Sequence, residues 1–196
     1  MSMTRFEKIF DTAKRAGLPT PAPVQSVKII NAKENLTGYM SYMLSQHHKT
    51  FQWLPEYGQV AAWMGDSGGK SLLLYGNCGR GKTMIARFVI PALFYMSTKK
   101  LFTCVDAIRM AENPDSILRC NLVSVDDVGT EDFTNNYGAR RCAFAELVDS
   151  AEKDGKIVIA TTNLNKKQLA EKYGDRTVDR IRSSFNCVLF KGDSLR

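Results

Sequence analysis

No stretch of this 196-residue chain approaches the roughly 18 consecutive apolar residues that a membrane-spanning helix needs. The opening segment, MSMTRFEKIFDTAKRAG, is charged and amphipathic and has no apolar core, which excludes a secretory signal. Histidine is scarce: His47 and His48 are neighbours, do not share one helix face, and offer no metal site. Cysteine is scattered at positions 78, 104, 120, 142 and 187, an odd number with no C-x-x-C pair. That argues against zinc ribbons and disulfide frameworks, and for free thiols in a reducing, cytoplasmic compartment. Internal repeats and low-complexity tracts are also missing.

What remains is ordinary globular material, with 44% hydrophobic and 24% charged residues, enough for one sizeable domain with or without a short appendage. The net charge of +7 resides in residues 1–70 and 133–196, around a neutral middle. A basic surplus of this kind suits a polyanionic partner, nucleic acid first, and is also ordinary for a nucleotide-binding protein.

Residues 5–16 fit a short amphipathic helix with Phe6, Ile9, Phe10 and Ala13 on one face. Three prolines within Leu18–Pro23 then favour a stiff, extended connector, or a surface loop of the domain. Residues 33–48 look helical, and Trp53 and Trp63 read as core. From residue 71 onward strands and helices alternate. Strands are expected at 71–75, 101–105, 122–125, 157–160 and 187–190. Helices are expected at 82–96 (kinked by Pro91), 138–153, 166–172 and 175–184. Alternation of this kind indicates a parallel sheet with helices on both faces.

The octet Gly76-Asn77-Cys78-Gly79-Arg80-Gly81-Lys82-Thr83 fits G-x-x-x-x-G-K-[ST] between an expected strand and an expected helix, which is the context that validates the motif. Backbone N–H groups of such a loop, Met84 included, curl around phosphates at a helix N-terminus. Lys82 reaches the β/γ-phosphates, and Thr83 ligates Mg²⁺. Cys78 stands within the loop, where oxidation could reach it. The apolar strand before Asp126-Asp127 brings a carboxylate to the same end of the sheet. Asp126 then holds the Mg²⁺ shell and Asp127 orients the attacking water, unless the pair merely begins a turn before Gly129. The strand ending Thr161-Thr162-Asn163 puts an amide, Asn163, near the γ-phosphate. Arg176 and Arg180 share a helix face and either can serve a neighbouring subunit as an arginine finger, or pair with Asp175 and Asp179 on a solvated face.

These motifs, with Asp126-Asp127-Val128-Gly129-Thr130-Glu131, Tyr173-Gly174-Asp175-Arg176…Asp179-Arg180 and the closing Asp193-Ser194-Leu195-Arg196, occur in an order that resembles the AAA+ core of DnaC-type replicative helicase loaders and the related IstB transposition ATPases. The resemblance covers about residues 70–196. It implies an α/β P-loop NTPase of AAA+ (ASCE) type: a five-stranded parallel sheet sandwiched by helices, without a separate C-terminal lid domain. Residues 1–30 are then a helix and linker for partner binding, and 31–196 the ATPase core. It further implies ATP and Mg²⁺ as cofactors, sensor 1 at Asn163, the trans-acting finger at Arg180 with Arg176 as a second arginine, and a γ-phosphate sensor at Arg196. The implied partners are a replicative helicase or other replication protein, single-stranded DNA, and further copies of the chain with ATP at their interfaces. The implied role is ATP-regulated assembly in DNA replication. An IstB-like transposition helper and a non-hydrolysing ATP-gated adaptor stay open. The chain departs from the family in its short N-terminal portion, in a reduced segment between residues 105 and 122, and in Asp127 where Glu is usual, so turnover is expected to be slow.

Overall fold

The computed structural model describes residues 4–18, 20, 25–136 and 139–195. Helix α1 (Arg5–Arg15) opens with a capping box: the Thr4 hydroxyl accepts the Glu7 N–H, and the Glu7 carboxylate accepts the Thr4 N–H. Lys14 and Arg15 in its last turn suit the helix dipole. None of its residues is buried, and Phe6 is 79% exposed. Most of the expected proline connector, residues 19 and 21–24, lies outside the described residues.

The packed structure is under way by Val27 and Ile29, both in the core. Ser67 fixes this entry, since its hydroxyl accepts the Val27 N–H at 2.9 Å. Helix α2 (Ala32–Ser45) buries Leu36 and Met40. Helix α3 (Pro55–Gly65) starts at a proline, whose missing N–H costs nothing at that position. Trp63 is a core residue whose indole N–H donates to the Lys70 carbonyl at 2.8 Å; Trp53 is half-buried against Phe51 and Tyr57.

Five strands form one parallel sheet: β1 (Ser71–Gly76), β2 (Thr103–Asp106), β3 (Leu122–Val128), β6 (Ile157–Thr162) and β7 (Phe185–Phe190), in the spatial order β2-β3-β6-β1-β7. The five-stranded α/β sandwich expected from the sequence is therefore present. Strand period two divides the core between the faces. Leu72, Leu74, Ile157 and Ile159 point toward α2 and α3, whereas Leu73, Val123, Val125 and Val158 point toward the later helices.

After the loop at 77–81 the chain runs through α4 (Lys82–Met84), a π-helical turn (Ile85–Val89) and α5 (Ile90–Thr98). The kink expected at Pro91 takes the form of this π turn. Ile90 N–H bonds back to Ile85, and Pro91 has no N–H, so the carbonyls of Ala86 and Arg87 lose their helical donors. Strand side chains replace them. The Ser124 hydroxyl donates to Ala86 O at 2.8 Å, and the Cys104 thiol to Arg87 O at 3.8 Å. The buried Ser124 among Leu122, Val123 and Val125 is thereby explained.

Beyond β2, α6 (Ala107–Glu112) and α7 (Pro114–Leu118) fill the short segment before β3. The helix expected at 138–153 is corrected. Residues Thr134–Asn136 (β4) and Ala139–Arg141 (β5) pair antiparallel, and α8 runs only over Ala143–Asp154. At the end of the hairpin the Arg141 guanidinium is held by Glu146 and Asp115, at 2.9 and 2.6 Å. Helices α9 (Lys166–Tyr173) and α10 (Asp175–Ser184) pack beside α8 and lead into β7. Among the described residues no helix is long and apolar enough to cross a membrane.

Ser124→Ala is expected to leave the Ala86 carbonyl buried and unpaired and to lower stability by about 1–3 kcal/mol, read as a lower urea midpoint with unchanged slope.

Candidate functional site

The carboxyl ends of β1, β3 and β6 converge on a cleft of about 740 Å³, the position at which open parallel sheets bind ligands. One end is built by the glycine loop and the N-terminus of the helical run beginning at Lys82; Cys78, Gly79, Gly81, Lys82, Thr83 and Met84 line it. Asp127 and Asn163 face the same space. The other end is mostly apolar, with Met40, Leu44, Phe51, Tyr57 and Phe88, plus His47, Lys49, Thr50 and Gln52 at its edge. Sequence reasoning misses this second wall, since nothing in its spacing marks Met40, Leu44 or Phe51 as other than core.

Lys82 sits at the centre. Its ammonium donates to Gly76 O at 2.9 Å, Asn77 O at 2.8 Å and Asn163 Oδ1 at 3.0 Å. Residues 81 apart in sequence thus meet, because β6 lies directly beside β1 in the sheet.

The loop is gripped from outside the cleft. Arg80, one of its variable positions, turns its side chain into the protein and forms a buried ion pair with Glu56 of α3, at 2.7 and 2.8 Å. Arg80 Nη1 also donates to Asp193 O at 3.0 Å. Asn77 likewise faces away, its amide donating to Gly192 O at 2.9 Å. Neither of these side chains enters the cleft. Tyr57 donates its hydroxyl to Arg80 O at 3.1 Å; burial, then the nearby Glu56 charge, pushes its phenol up to about 12, so it stays a donor across ordinary pH. The C-terminal segment completes the grip: Leu195 N–H donates to Gly79 O at 3.0 Å. Gly79 has φ of 77°, and a Cβ there would strike Ser194, so only glycine fits. Arg196 lies outside the described residues.

The two aspartates differ sharply. Asp126 is buried, and its Oδ1 accepts the Thr161 hydroxyl at 2.6 Å. Asp127 is exposed and lines the cleft. The difference comes from a bulge: the β3–β6 register shifts between Val125 and Val128, and Asp127 adopts φ of 54°, rare for a non-glycine residue. Thr161 and Thr162 hold the bulge. Thr161 Oγ1 accepts the Asp127 N–H at 2.9 Å, and Thr162 Oγ1 donates to Val128 O at 2.5 Å. Both threonines are fully buried. The sequence does not reveal their role, since there they merely precede Asn163.

The arginines lie apart from this cluster. Arg180, 17% exposed in its side chain, is paired on its own chain with Asp149 and with Glu152, the latter at 3.1 Å. The acids expected beside the arginines, Asp175 and Asp179, are not its partners; Asp179 pairs with Arg182. Arg176 is exposed at the start of α10.

Residues and ligand chemistry fit one another. Loop amides at a helix N-terminus suit phosphates, Lys82 supplies the cation, and the Thr83 hydroxyl and the carboxylates offer hard oxygen for Mg²⁺. Among the described residues no group of three or more His, Cys, Asp or Glu could hold a metal by itself.

Comparison with known proteins agrees on architecture. A family model described as nephrocystin 3, N-terminal, matches residues 49–131, less than half of the chain. The comparison with curated proteins finds no match. Among solved structures, AMPPCP-bound DnaA from Aquifex aeolicus is 14% identical with a TM-score of 0.53, covering 73% of this chain and 49% of that one. A structure described as a candidate primosome component from Streptococcus pyogenes serotype M3 is 14% identical with a TM-score of 0.52, covering 85% and 83%. The DnaC helicase loader is 22% identical with a TM-score of 0.49, covering 63% and 79%. The first two likenesses show the fold, a parallel α/β sheet flanked by helices.

Removing one partner of a buried ion pair strands the other. Glu56→Ala is expected to cost about 3–5 kcal/mol in stability, measured by chemical denaturation.

Proposed function

We propose that this protein binds ATP with Mg²⁺ in the cleft, hydrolyses it slowly, and acts as a DnaC-like factor in DNA replication, assembling under ATP control on a ring helicase, single-stranded DNA or both. The observation that carries the nucleotide reading is Lys82, held at the head of the cleft by Gly76 O, Asn77 O and Asn163 Oδ1. Loop backbone N–H groups receive the phosphates, and Lys82 exchanges its carbonyl partners for phosphate oxygens. Thr83 and Asp126 would hold the shell of a Mg²⁺ ion, which would supply charge neutralisation to the bound phosphates. Asp127, exposed on its bulge, orients the attacking water, and Asn163 steadies the γ-phosphate. The apolar end around Met40, Leu44, Phe51 and Phe88 takes the base. AMPPCP in the structurally similar DnaA is consistent with a triphosphate nucleotide on this fold.

Two observations favour weak turnover by a single chain, and so leave room for an ATP-gated adaptor. Asp127 is shorter than the usual glutamate, and Arg180 is engaged in cis by Asp149 and Glu152. For Arg180 to serve a neighbour's γ-phosphate it must leave those acids, with Arg176 beside it; assembly then becomes a condition of hydrolysis. Binding to the host's hexameric replicative helicase, measured with and without ATP and single-stranded DNA, tests the role. Binding to a transposase instead would favour the IstB-like reading. Tight helicase binding that needs ATP but releases no phosphate would favour the adaptor.

Lys82→Ala is expected to abolish ATP binding or turnover, followed by calorimetry and phosphate release; retained affinity together with normal turnover sinks the site assignment. Arg180→Ala is expected to bind ATP normally yet lose assembly-dependent turnover. If mixing it with Lys82→Ala restores hydrolysis, a site is shared between copies; if Arg180→Ala alone hydrolyses normally at every protein concentration, the finger role is wrong.

A further inference from the structure

We infer that Glu131 and Tyr173 are positioning residues whose buried hydrogen bond fastens the turn carrying Asp127 to the end of α9 and hence to the arginine-bearing helix α10. Its consequence for turnover rests on the nucleotide-hydrolysing reading above; the linkage itself rests on geometry.

Glu131 is a carboxylate with 4% exposure. Its Oε2 accepts the Gly129 N–H at 2.8 Å, and its Oε1 accepts the Tyr173 hydroxyl. Tyr173 is itself buried against Phe144, ring centroids 5.1 Å apart. Burial, reinforced by the bond to Glu131 and its charge, holds the Tyr173 phenol far above its ordinary pKa, so it remains a donor at any working pH. Lys172 closes the same joint from its other side, donating to Gly129 O at 2.7 Å and Glu131 O at 2.6 Å.

The turn between them has little freedom. Gly129 has φ of 108°, and a Cβ there would collide with Leu164. Thr130 bonds back to Asp127 O through both its N–H, at 3.2 Å, and its hydroxyl, at 2.8 Å. A shift of Asp127 therefore moves Gly129 and Glu131 together. At the far end Tyr173 is the last residue of α9, and its carbonyl accepts the Thr177 hydroxyl in α10 at 2.9 Å. Gly174 alone separates the two helices. The path from Asp127 to the helix of Arg176 and Arg180 thus consists of hydrogen bonds and one tight turn. A buried charge with both oxygens committed is costly to leave half-satisfied, which makes the joint act as a unit.

The test compares the full-length protein with Tyr173→Phe, which removes only the hydroxyl. Three quantities are read: amide hydrogen exchange without nucleotide, ATP KM and kcat, and the thermal midpoint. Exchange is expected to rise about tenfold both at residues 129–131 and at 174–178, with loop amides 79–83 unchanged. Turnover is expected to fall about tenfold while ATP KM stays within about twofold, a split that simple destabilisation does not produce. Faster exchange confined to 174–178, or normal kcat in the folded variant, overturns the inference and leaves the nucleotide reading standing. Absence of turnover in the unaltered protein sinks the hydrolytic reading instead, and the exchange pattern still decides the linkage. Should Tyr173→Phe fail to fold, Glu131→Gln is read by the same exchange pattern, with the same two outcomes.

Discussion

The glycine loop proposed here to bind phosphate is held without bulk on its cleft side by the buried Arg80–Glu56 ion pair. Backbone amides can converge on a phosphate only if the side chains between the glycines go elsewhere. Arg80 goes inward, to α3, and Asn77 goes sideways, to the segment after β7. The pair is expensive to desolvate, and its partners reduce that cost: Arg80 meets both Glu56 and the Asp193 carbonyl. In return three distant parts of the chain, α3, the loop and residues 192–195, are fixed to one another. The apolar wall of the cleft depends on this indirectly, since Tyr57, next to Glu56, is both part of that wall and a donor to the Arg80 carbonyl.

The sheet order places a second constraint on the site. Because β6 lies between β1 and β3, its polar end touches both neighbours at once. Asn163 reaches toward the loop and meets Lys82; Thr161 and Thr162 reach toward β3 and hold its bulge. The bulge interrupts the strand's two-residue alternation at the two aspartates. With it, Asp126 stays at the buried strand end and Asp127 stands in the opening. The division of labour proposed for the two carboxylates is thus written in backbone geometry as well as in side-chain identity.

How much of this is legible in the sequence varies with the kind of signal. The strand–loop–helix around Lys82 and the apolar strands before Asp126 and Asn163 are readable because local pattern and global role coincide there. The fold class comes from their alternation. The π turn is half-readable: Pro91 announces a fault in the helix, but that Ser124 and Cys104 repair it is a tertiary fact. The hairpin at residues 134–141 reads wrongly as helix in its second strand because Ala139, Arg140 and Arg141 favour a helix in isolation, while the ion pairs of Arg141 with Asp115 and Glu146 are made in space. Arg80 reads as a phosphate-loop residue by position; no spacing rule reveals that its side chain belongs to Glu56, 24 residues earlier. The cleft's apolar end is invisible for a related reason, since a residue lining a pocket and a residue filling a core have the same hydrophobic pattern.

Arg180 is the residue at which pattern and placement diverge most. Its spacing from Gly174 matches the resemblance, yet its guanidinium is engaged by two acids of α8. Those acids lie on a neighbouring helix rather than on its own, so a displacement of α10 against α8 would loosen them together, whereas an i,i+4 pair would travel with the helix. The N-terminal end of α10 is the one tied to the Asp127 turn through Tyr173 and Glu131. In the proposed reading, events at the phosphates bear on the same joint that sets how firmly α10 lies on α8. A chain alone then keeps its arginine in cis, and nucleotide with a neighbouring copy competes against Asp149 and Glu152 for it. In that reading the competition would give slow turnover in isolation a physical cause independent of the shortened Asp127, and would make the occupied site a report on assembly.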